Sequence, residues 1–339
     1  MKELLTYDDV LLVPRYSEVT TRRSVDLSVC LDSLIELQVP IISAPMDTVT
    51  GTDMAIVMDR VGGLGIIHRY NSIEEQAALV AAACKSGAVN VGAAVGASGD
   101  YEGRACALFD AGARILCVDV AHGHHLIVKA ALQRLRKVFA GSVHIMAGNV
   151  ATLEGFDALA AWGADSIRCG IGTGSICTTR VKTGHGVPAL STIMECAKTE
   201  HDALIIADGG LREPGDIVKA LAAGADLVML GSMLSGTTET PGELLHGPSG
   251  RIMKKYRGMA SKDAQVEWRG NSSSPEGVTS VVPYRGDVCP VLEDIVGAVK
   301  SGFSYSGAGN IIELRGNATW ARQSAASQVE SSAHIFRTG

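Results

Sequence analysis

A closed α/β barrel, (β/α)8 or TIM type, is the fold this sequence predicts, and three observations predict it. Eight short runs rich in β-branched and aliphatic residues recur at 39–43, 63–67, 89–95, 115–120, 143–147, 165–169, 204–207 and 227–230. Between most of them lie alanine-rich segments with apolar residues at helical spacing, at 52–60, 73–85, 101–111, 125–139, 153–162, 189–198 and 213–222. Alternation of this kind makes parallel βαβ units, and eight units in about 200–250 residues close a barrel rather than leave an open sheet. The third observation is a recurring tripeptide: Ala111-Gly112-Ala113, Trp162-Gly163-Ala164 and Ala223-Gly224-Ala225 each stand just before a strand run. Glycine there ends a helix through a left-handed cap, marking the barrel face that carries stability and not chemistry.

Taken in order, residues 1–38 are mixed, with Pro14, a Thr/Arg cluster at 20–23 and a strand candidate at 25–30, and read as a cover over one end of the barrel. The alternating barrel segments follow. Beyond residue 230 the pattern breaks into a polar loop at 236–243 and the run Lys254-Lys255-Tyr256-Arg257-Gly258-Met259. A serine-rich stretch to Gly277 then carries Trp268 and Arg269. A polar span of that length between ordered parts reads as an insertion or an active-site flap, at about 259–277. A helix-like segment at 291–300 and a Ser/Ala-rich tail at about 310–339, expected to be loosely ordered, close a single domain spanning 1–339.

Bulk composition narrows the function classes. The chain has 339 residues, 46% hydrophobic and only 4% aromatic, so aliphatic side chains must fill the core. A net charge of −6 gives no general basic surface, so no nucleic-acid partner is expected. No apolar stretch approaches the ~20 residues of a membrane span, and the first residues lack a signal-peptide pattern. The eight cysteines, with no C-x-x-C pair, read as reduced thiols in a cytoplasmic protein, not as a disulfide framework or zinc site. No full ligand set accompanies His122, His124, His125 and His185, so they are not read as a metal centre; His125 reads as the start of a helix.

Chemistry-bearing residues collect after the strand runs, the face on which barrel active sites form. They are Ser43-Ala44-Pro45-Met46-Asp47-Thr48-Val49 after the first and Asp119-Val120-Ala121-His122-Gly123-His124 after the fourth. Gly148-Asn149 ends the fifth, Asp208-Gly209-Gly210 the seventh and Gly231-Ser232-Met233 the eighth. The sixth leads into Gly170-Ile171-Gly172-Thr173-Gly174-Ser175-Ile176-Cys177-Thr178-Thr179-Arg180, the start of a catalytic loop taken as 170–188. Glycines at every second position let the backbone approach a ligand, and a thiol with neighbouring N–H groups can act as a nucleophile. Gly209-Gly210 and Gly231-Ser232 stand where such barrels hold a phosphate, with Asp208 beside it for ribose hydroxyls. A nucleotide or sugar phosphate is therefore the expected substrate, with Cys177 at its other end.

These motifs, from Tyr7-Asp8-Asp9-Val10 to about Gly309, resemble the inosine-monophosphate dehydrogenase and guanosine-monophosphate reductase family. The resemblance implies Cys177 as the nucleophile on the purine 2-carbon and Thr179 with Glu276 as the proton-handling pair. It implies Asp208 at the ribose, and Ser175, Gly210, Gly231, Ser232 and Tyr256 as a phosphate cradle. Met46, Asn149, Arg257, Gly258 and Met259 complete the implied substrate set. Asp119, Ala121, His122, Gly123 and Thr179 fall on the nicotinamide side. Carbonyls of Gly172, Gly174 and Cys177 match a monovalent-cation (K+) site of some members. The family also implies a homotetramer.

Between the two activities, the wording favours the reductase, acting on GMP with NADPH. No regulatory insertion follows the second helix: residues 82–89 run straight into the third strand. The dehydrogenase's flap carries an Arg-Tyr pair that activates water; none occurs between Met259 and Glu276, and Glu267-Trp268-Arg269 resembles the reductase's Glu-Tyr-Arg. Cys177-Thr178-Thr179-Arg180 and Lys182-Thr183-Gly184-His185-Gly186-Val187-Pro188 are also the reductase's wording. By contrast, Ala121-His122-Gly123-His124, Leu230-Gly231-Ser232-Met233 and residues 236–243 read more like the dehydrogenase, which would oxidise IMP with NAD. A second alternative, a barrel that binds purine nucleotides without turnover, is opposed by the retained Cys177, Thr179 and Glu276.

Overall fold

The computed structural model describes residues 2–247 and 250–331. Its centre is a closed barrel of eight parallel strands, Ile41–Ser43, Leu64–Ile67, Val91–Val95, Ile115–Asp119, His144–Val150, Ser166–Cys169, Leu204–Asp208 and Leu227–Leu230. Each pairs with its sequence neighbour, and the eighth closes on the first through Val228↔Ile41 to Leu230↔Ser43. All eight predicted runs are barrel strands. The fifth extends three residues beyond expectation, which puts Asn149 in the strand end.

The two-residue period of a strand splits the core into two clusters. Ile42, Leu64, Ile66, Ala94, Ile115, Cys117, Met146, Ile206, Leu227 and Met229 fill the barrel interior. Their neighbours, such as Ile41, Ile67, Ala93, Leu116 and Ile145, face the helices. The predicted N-terminal cover is a hairpin, Val29–Cys30 against Glu36–Leu37, turned by the Asp32 carboxylate accepting the amides of Leu34 and Ile35 at 2.8 and 3.0 Å. Its Leu31, Ile35 and Leu37 join the interior cluster beside strand-start residues Leu64, Ile115 and Leu227, so the hairpin plugs the end opposite the chemistry.

The helices Thr52–Arg60, Ile73–Lys85, Tyr101–Asp110, Leu126–Phe139, Leu153–Ala161, Ala189–Cys196 and Pro214–Ala222 lie between successive strands, as predicted. His125 is the N-cap of its helix, its ring accepting from the Ile127 amide. The recurring tripeptides end helices as expected. Gly112, Gly163 and Gly224 have φ of 108°, 106° and 118°, and the following alanine amides reach back to the carbonyls of Leu108, Leu159 and Ala220. The eighth barrel helix is Val288–Tyr305, longer than the segment expected at 291–300, and it packs on Pro214–Ala222.

Between the eighth strand and that helix the chain builds a three-stranded antiparallel sheet, Leu245–His246, Ile252–Arg257 and Thr279–Pro283, with a helix, Lys262–Arg269, inserted before its last strand. The expected flap is therefore a helical arm on a β-hairpin. Buried Lys254 ties this sheet to the loop after the eighth strand by donating to the carbonyls of Thr237, Thr238 and Thr240 at 3.1, 3.3 and 2.5 Å. The tail differs from the expected loose segment. Ile311–Asn317 is a helix with Ile311 and Leu314 buried, and Trp320–Arg322 pairs antiparallel with Val10–Leu12. Apolar anchors and a paired strand hold what the Ser/Ala content suggested was free; residues 332–339 lie outside the described residues. Among the described residues no helix is long and apolar enough to cross a membrane.

Candidate active site

A cleft of about 670 Å³ opens at the C-terminal end of the barrel strands, within the range of small-molecule sites. Its wall includes the loop from Gly170 to Cys177, with Thr179 and Glu276 beside it. The thiol of Cys177 donates to Thr179 Oγ1 at 3.1 Å, and the Thr179 hydroxyl donates to Glu276 Oε2 at 2.8 Å. A thiol and a hydroxyl two residues apart thus join a carboxylate 97 positions further on in one continuous proton path. Backbone bonds fix it. The Thr178 amide donates to the Glu276 carbonyl at 2.8 Å, and the Val278 amide donates to the Ile176 carbonyl at 3.1 Å. The Glu276 amide in turn donates to the Ala260 carbonyl at 3.0 Å. The nucleophile loop and the return strand of the flap are therefore a single ladder, and Glu276 is positioned by main chain rather than by a flexible side-chain contact.

Two residues before Cys177, the Ser175 hydroxyl stands 3.4 Å from the buried Tyr256 phenol. Burial pushes that phenol up, against hydrogen bonds with Ser175 and Ser232. Gly210, Gly231 and Ser232 line the cleft, and Met46, Gly258 and Met259 line it with them. Hydroxyl donors and glycine backbone at the ends of the seventh and eighth strands form a site suited to an oxyanion.

Beneath the middle of the cleft lies a charged cluster on neighbouring strand ends. Arg168, 7% exposed, donates from Nε and Nη2 to Asp208 Oδ2 at 3.0 and 2.9 Å, and from Nη1 to Asp119 Oδ1 at 2.5 Å. Asn149 Nδ2 donates to the same Asp208 oxygen at 2.7 Å and to the Gly170 carbonyl at 2.9 Å. Burial alone would raise the Asp119 carboxyl, but the guanidinium charges of Arg168 and Arg69 outweigh it and hold it below its ordinary value. Arg168 itself is held well above its ordinary value: burial opposes its charge, and Asp208 and Asp119 more than compensate.

Some expected site residues stand elsewhere. Arg257 does not line the cleft. It is buried behind it, where its guanidinium pairs with Asp47 and with Glu267 of the flap helix, so it joins the flap to the first strand loop. On the expected nicotinamide side, Asp119 and Ala121 line the cleft. His122 is exposed outside it, and Gly123 is buried with its amide on the Asn149 carbonyl. Of the carbonyls expected at a monovalent-cation site, that of Gly174 accepts the Cys177 amide at 3.1 Å, which leaves it a second lone pair.

Arg168, Arg69 and Tyr70 line the cleft and were not singled out from the sequence. The available signal for Arg168 was a charge inside a strand read as fully buried, which requires partner carboxylates close by. Tyr70 is explained by the flap: its ring stacks on Trp268 at 4.4 Å between centroids, while the guanidinium carbons of Arg69 and Arg269 lie 5.5 and 4.5 Å from the Trp268 ring. Trp268 is thus the flap's anchor on the barrel. Aromatic stacking and cation–π contact together are worth about 1–3 kcal/mol. Trp268→Ala is expected to release the arm, seen as proteolysis within 259–277 at least about tenfold faster at unchanged melting temperature; unchanged cleavage would show that the Arg257 pairs suffice.

A family model described as the IMP dehydrogenase / GMP reductase domain matches residues 4–334. Inosine-5'-monophosphate dehydrogenase of Nitrosopumilus maritimus (strain SCM1) is 34% identical over 470 aligned positions, covering 98% of both chains. GMP reductase of Leishmania donovani is 32% identical over 479 positions, covering 98% of this chain and 97% of its own. Both alignments are longer than this chain's 339 residues, so the dehydrogenase and the reductase alike carry extra residues inside the matched span. The lack of an insertion therefore does not distinguish the two activities. Among solved structures, a cysteine-to-alanine variant of GMP reductase from Trypanosoma brucei in complex with guanosine 5'-monophosphate superposes with a TM-score of 0.94 at 31% identity, over 99% of both chains. A family model that spans nearly the whole chain, and relatives above 30% identity covered almost end to end, show that the chain belongs to the IMP dehydrogenase / GMP reductase family.

Proposed function

We propose that this chain is a GMP reductase, converting GMP to IMP and ammonia at the expense of NADPH. The observation that carries the reading is the path Cys177–Thr179–Glu276, joined to a flap that holds no Arg-Tyr pair to activate water. The Cys177 sulfur bonds to the purine 2-carbon. The thiol proton, passed through Thr179 and Glu276, leaves with the exocyclic amine as ammonia, and a thioimidate remains on Cys177. Ser175, Tyr256, Gly210, Gly231 and Ser232 hold the phosphate; Asp208 accepts from the ribose. NADPH, when bound, supplies the hydride that replaces sulfur at the 2-carbon and frees Cys177 as thiolate. The Asp119 side of the cleft fits a polar head group of that kind, because buried Arg69 Nε, 3.6 Å from Asp119 Oδ2, has no hydrogen-bond partner. The scattered free cysteines support work in the cytoplasm, and the family implies a homotetramer.

The direct test is loss of the reduced-nicotinamide absorbance on mixing protein, GMP and NADPH. Activity with IMP and NAD alone would assign the dehydrogenase instead, the name borne by several relatives at similar identity. Binding of GMP or IMP without either turnover would assign a binding module. Glu276→Gln keeps the hydrogen-bonding shape but cannot cycle a proton. It is expected to lower kcat about 10²–10⁴-fold with nucleotide Kd changed less than about threefold, by steady-state kinetics and calorimetry.

A further inference from the structure

Asp208 is held asymmetrically. Its Oδ2 accepts three hydrogen bonds, two from Arg168 and one from Asn149. Among the described residues no hydrogen bond reaches its Oδ1, and that oxygen is not among the buried unpartnered atoms. Asp208 itself lines the cleft. One oxygen is therefore saturated and the other is left for a ligand. The guanidinium that saturates it comes from the neighbouring sixth strand and extends its third nitrogen to Asp119 Oδ1, on the fourth. Arg69 then reaches the Asp119 carbonyl at 3.0 Å from the second strand loop. One buried planar cation thus spans two carboxylates, one on each side of the place where the nucleotide sugar and the hydride donor would meet.

We propose that Arg168 is the positioning residue that turns Asp208 Oδ1 toward the ribose hydroxyls of the bound nucleotide and sets that oxygen against Asp119. Arginine is suited to this because its fork offers parallel donors to one carboxylate and a further donor to a second. Without the fork, Asp208 would keep only the Asn149 bond and could rotate either oxygen into the cleft. Asp119 would lose its main counter-charge and repel Asp208 across the barrel mouth. The inference rests on the purine-nucleotide reading of the site and adds to it the source of its preference for ribose.

The readout is the ratio of dissociation constants for GMP and its 2′,3′-dideoxy analogue, measured by calorimetry on the full chain. A charge-assisted hydrogen bond to a hydroxyl is worth about tenfold or more in that ratio. Arg168→Met is expected to erase at least about tenfold of the preference for GMP while leaving the dideoxy analogue's affinity within about threefold, since the phosphate cradle is untouched. Asp119→Asn, which removes the charge on the far side of the guanidinium without touching Asp208, is expected to reduce the preference by a smaller factor. Arg168→Lys restores one contact and part of the preference, and it replaces the methionine variant if that one fails to fold. A folded Arg168 variant with the unaltered preference, or one that loses both ligands in parallel, would overturn the proposal. If the unaltered protein binds neither GMP nor IMP, the nucleotide reading falls and this inference with it. Retained binding with an unchanged preference removes the inference alone.

Discussion

Cys177→Ala is expected to abolish turnover, by at least about 10⁴-fold in kcat, while nucleotide affinity changes less than about threefold. The two halves of the prediction have separate causes. Turnover is lost because the only sulfur in the loop is the atom that must bond to the purine, and Thr179 and Glu276 then have no thiol proton to carry. Affinity survives because the loop is held by main chain: the Cys177 amide on Gly174, the Thr178 amide on Glu276 and the Val278 amide on Ile176 are all indifferent to the side chain. The phosphate end, with Ser175 and Tyr256, is likewise unaffected. Cys177 is half-buried at the cleft wall, so shortening it opens no core cavity, and stability should shift by less than about 1 kcal/mol. Calorimetry with GMP, absorbance at the reduced-nicotinamide band and intact mass after incubation with nucleotide check the three consequences. An alanine enzyme that still turns over would end the covalent route.

The barrel was legible because parallel strands buried on both faces leave continuous aliphatic runs, as at 91–95 and 227–230, and because helix ends carry glycine at fixed offsets. Cys177, Ser175 and the paired glycines were legible for a related reason: they stand at strand ends, where the fold itself says chemistry should collect. Direction was harder to read. Arg257 sits next to Tyr256, and adjacent residues in an extended strand point to opposite faces. One therefore lines the cleft and the other pairs behind it with Asp47 and Glu267. The same alternation hid Arg168, whose partners lie 49 and 40 positions away on other strands. The tail misled for a compositional reason, since serine and alanine outnumber the few anchors, Ile311, Leu314 and Trp320, that hold it. The insertion argument failed differently: its absence is plain in the sequence, but a reductase relative aligns over 479 positions and carries extra residues too. The reductase reading therefore rests on the flap's missing Arg-Tyr pair and on the wording at 182–188, and kinetics with each substrate pair tests it.

Gly170→Ala is expected to be the most damaging small substitution at the barrel mouth. Gly170 has φ of +154°, and a Cβ there would lie 2.0 Å from the main-chain oxygen of Asp208 and 2.9 Å from Thr173 Oγ1. The first contact is with backbone, so no rotamer change relieves it. Nor can Gly170 retreat freely, because its amide donates to the Val150 carbonyl at 2.8 Å and its carbonyl accepts from Asn149 at 2.9 Å. The fifth, sixth and seventh strand ends are thus locked together at this residue. Accommodating a methyl group means displacing either the Asp208 main chain, with the carboxylate that Arg168 and Asn149 hold, or the loop that carries Cys177. Strain and overpacking of this kind cost about 3 kcal/mol or more. A shift of about 1 Å in either group is enough to lower kcat/KM about 10²-fold. Gly103→Ala is the control. It lies in the helix Tyr101–Asp110 with nothing within 4 Å of an added Cβ, and it should be neutral or stabilising by about 0.5–1 kcal/mol. Thermal denaturation and steady-state kinetics on the pair separate a general cost of removing glycine from the specific one. A Gly170→Ala protein with the control's stability and unaltered kcat/KM would show that the loop's place over the strand ends does not depend on this contact.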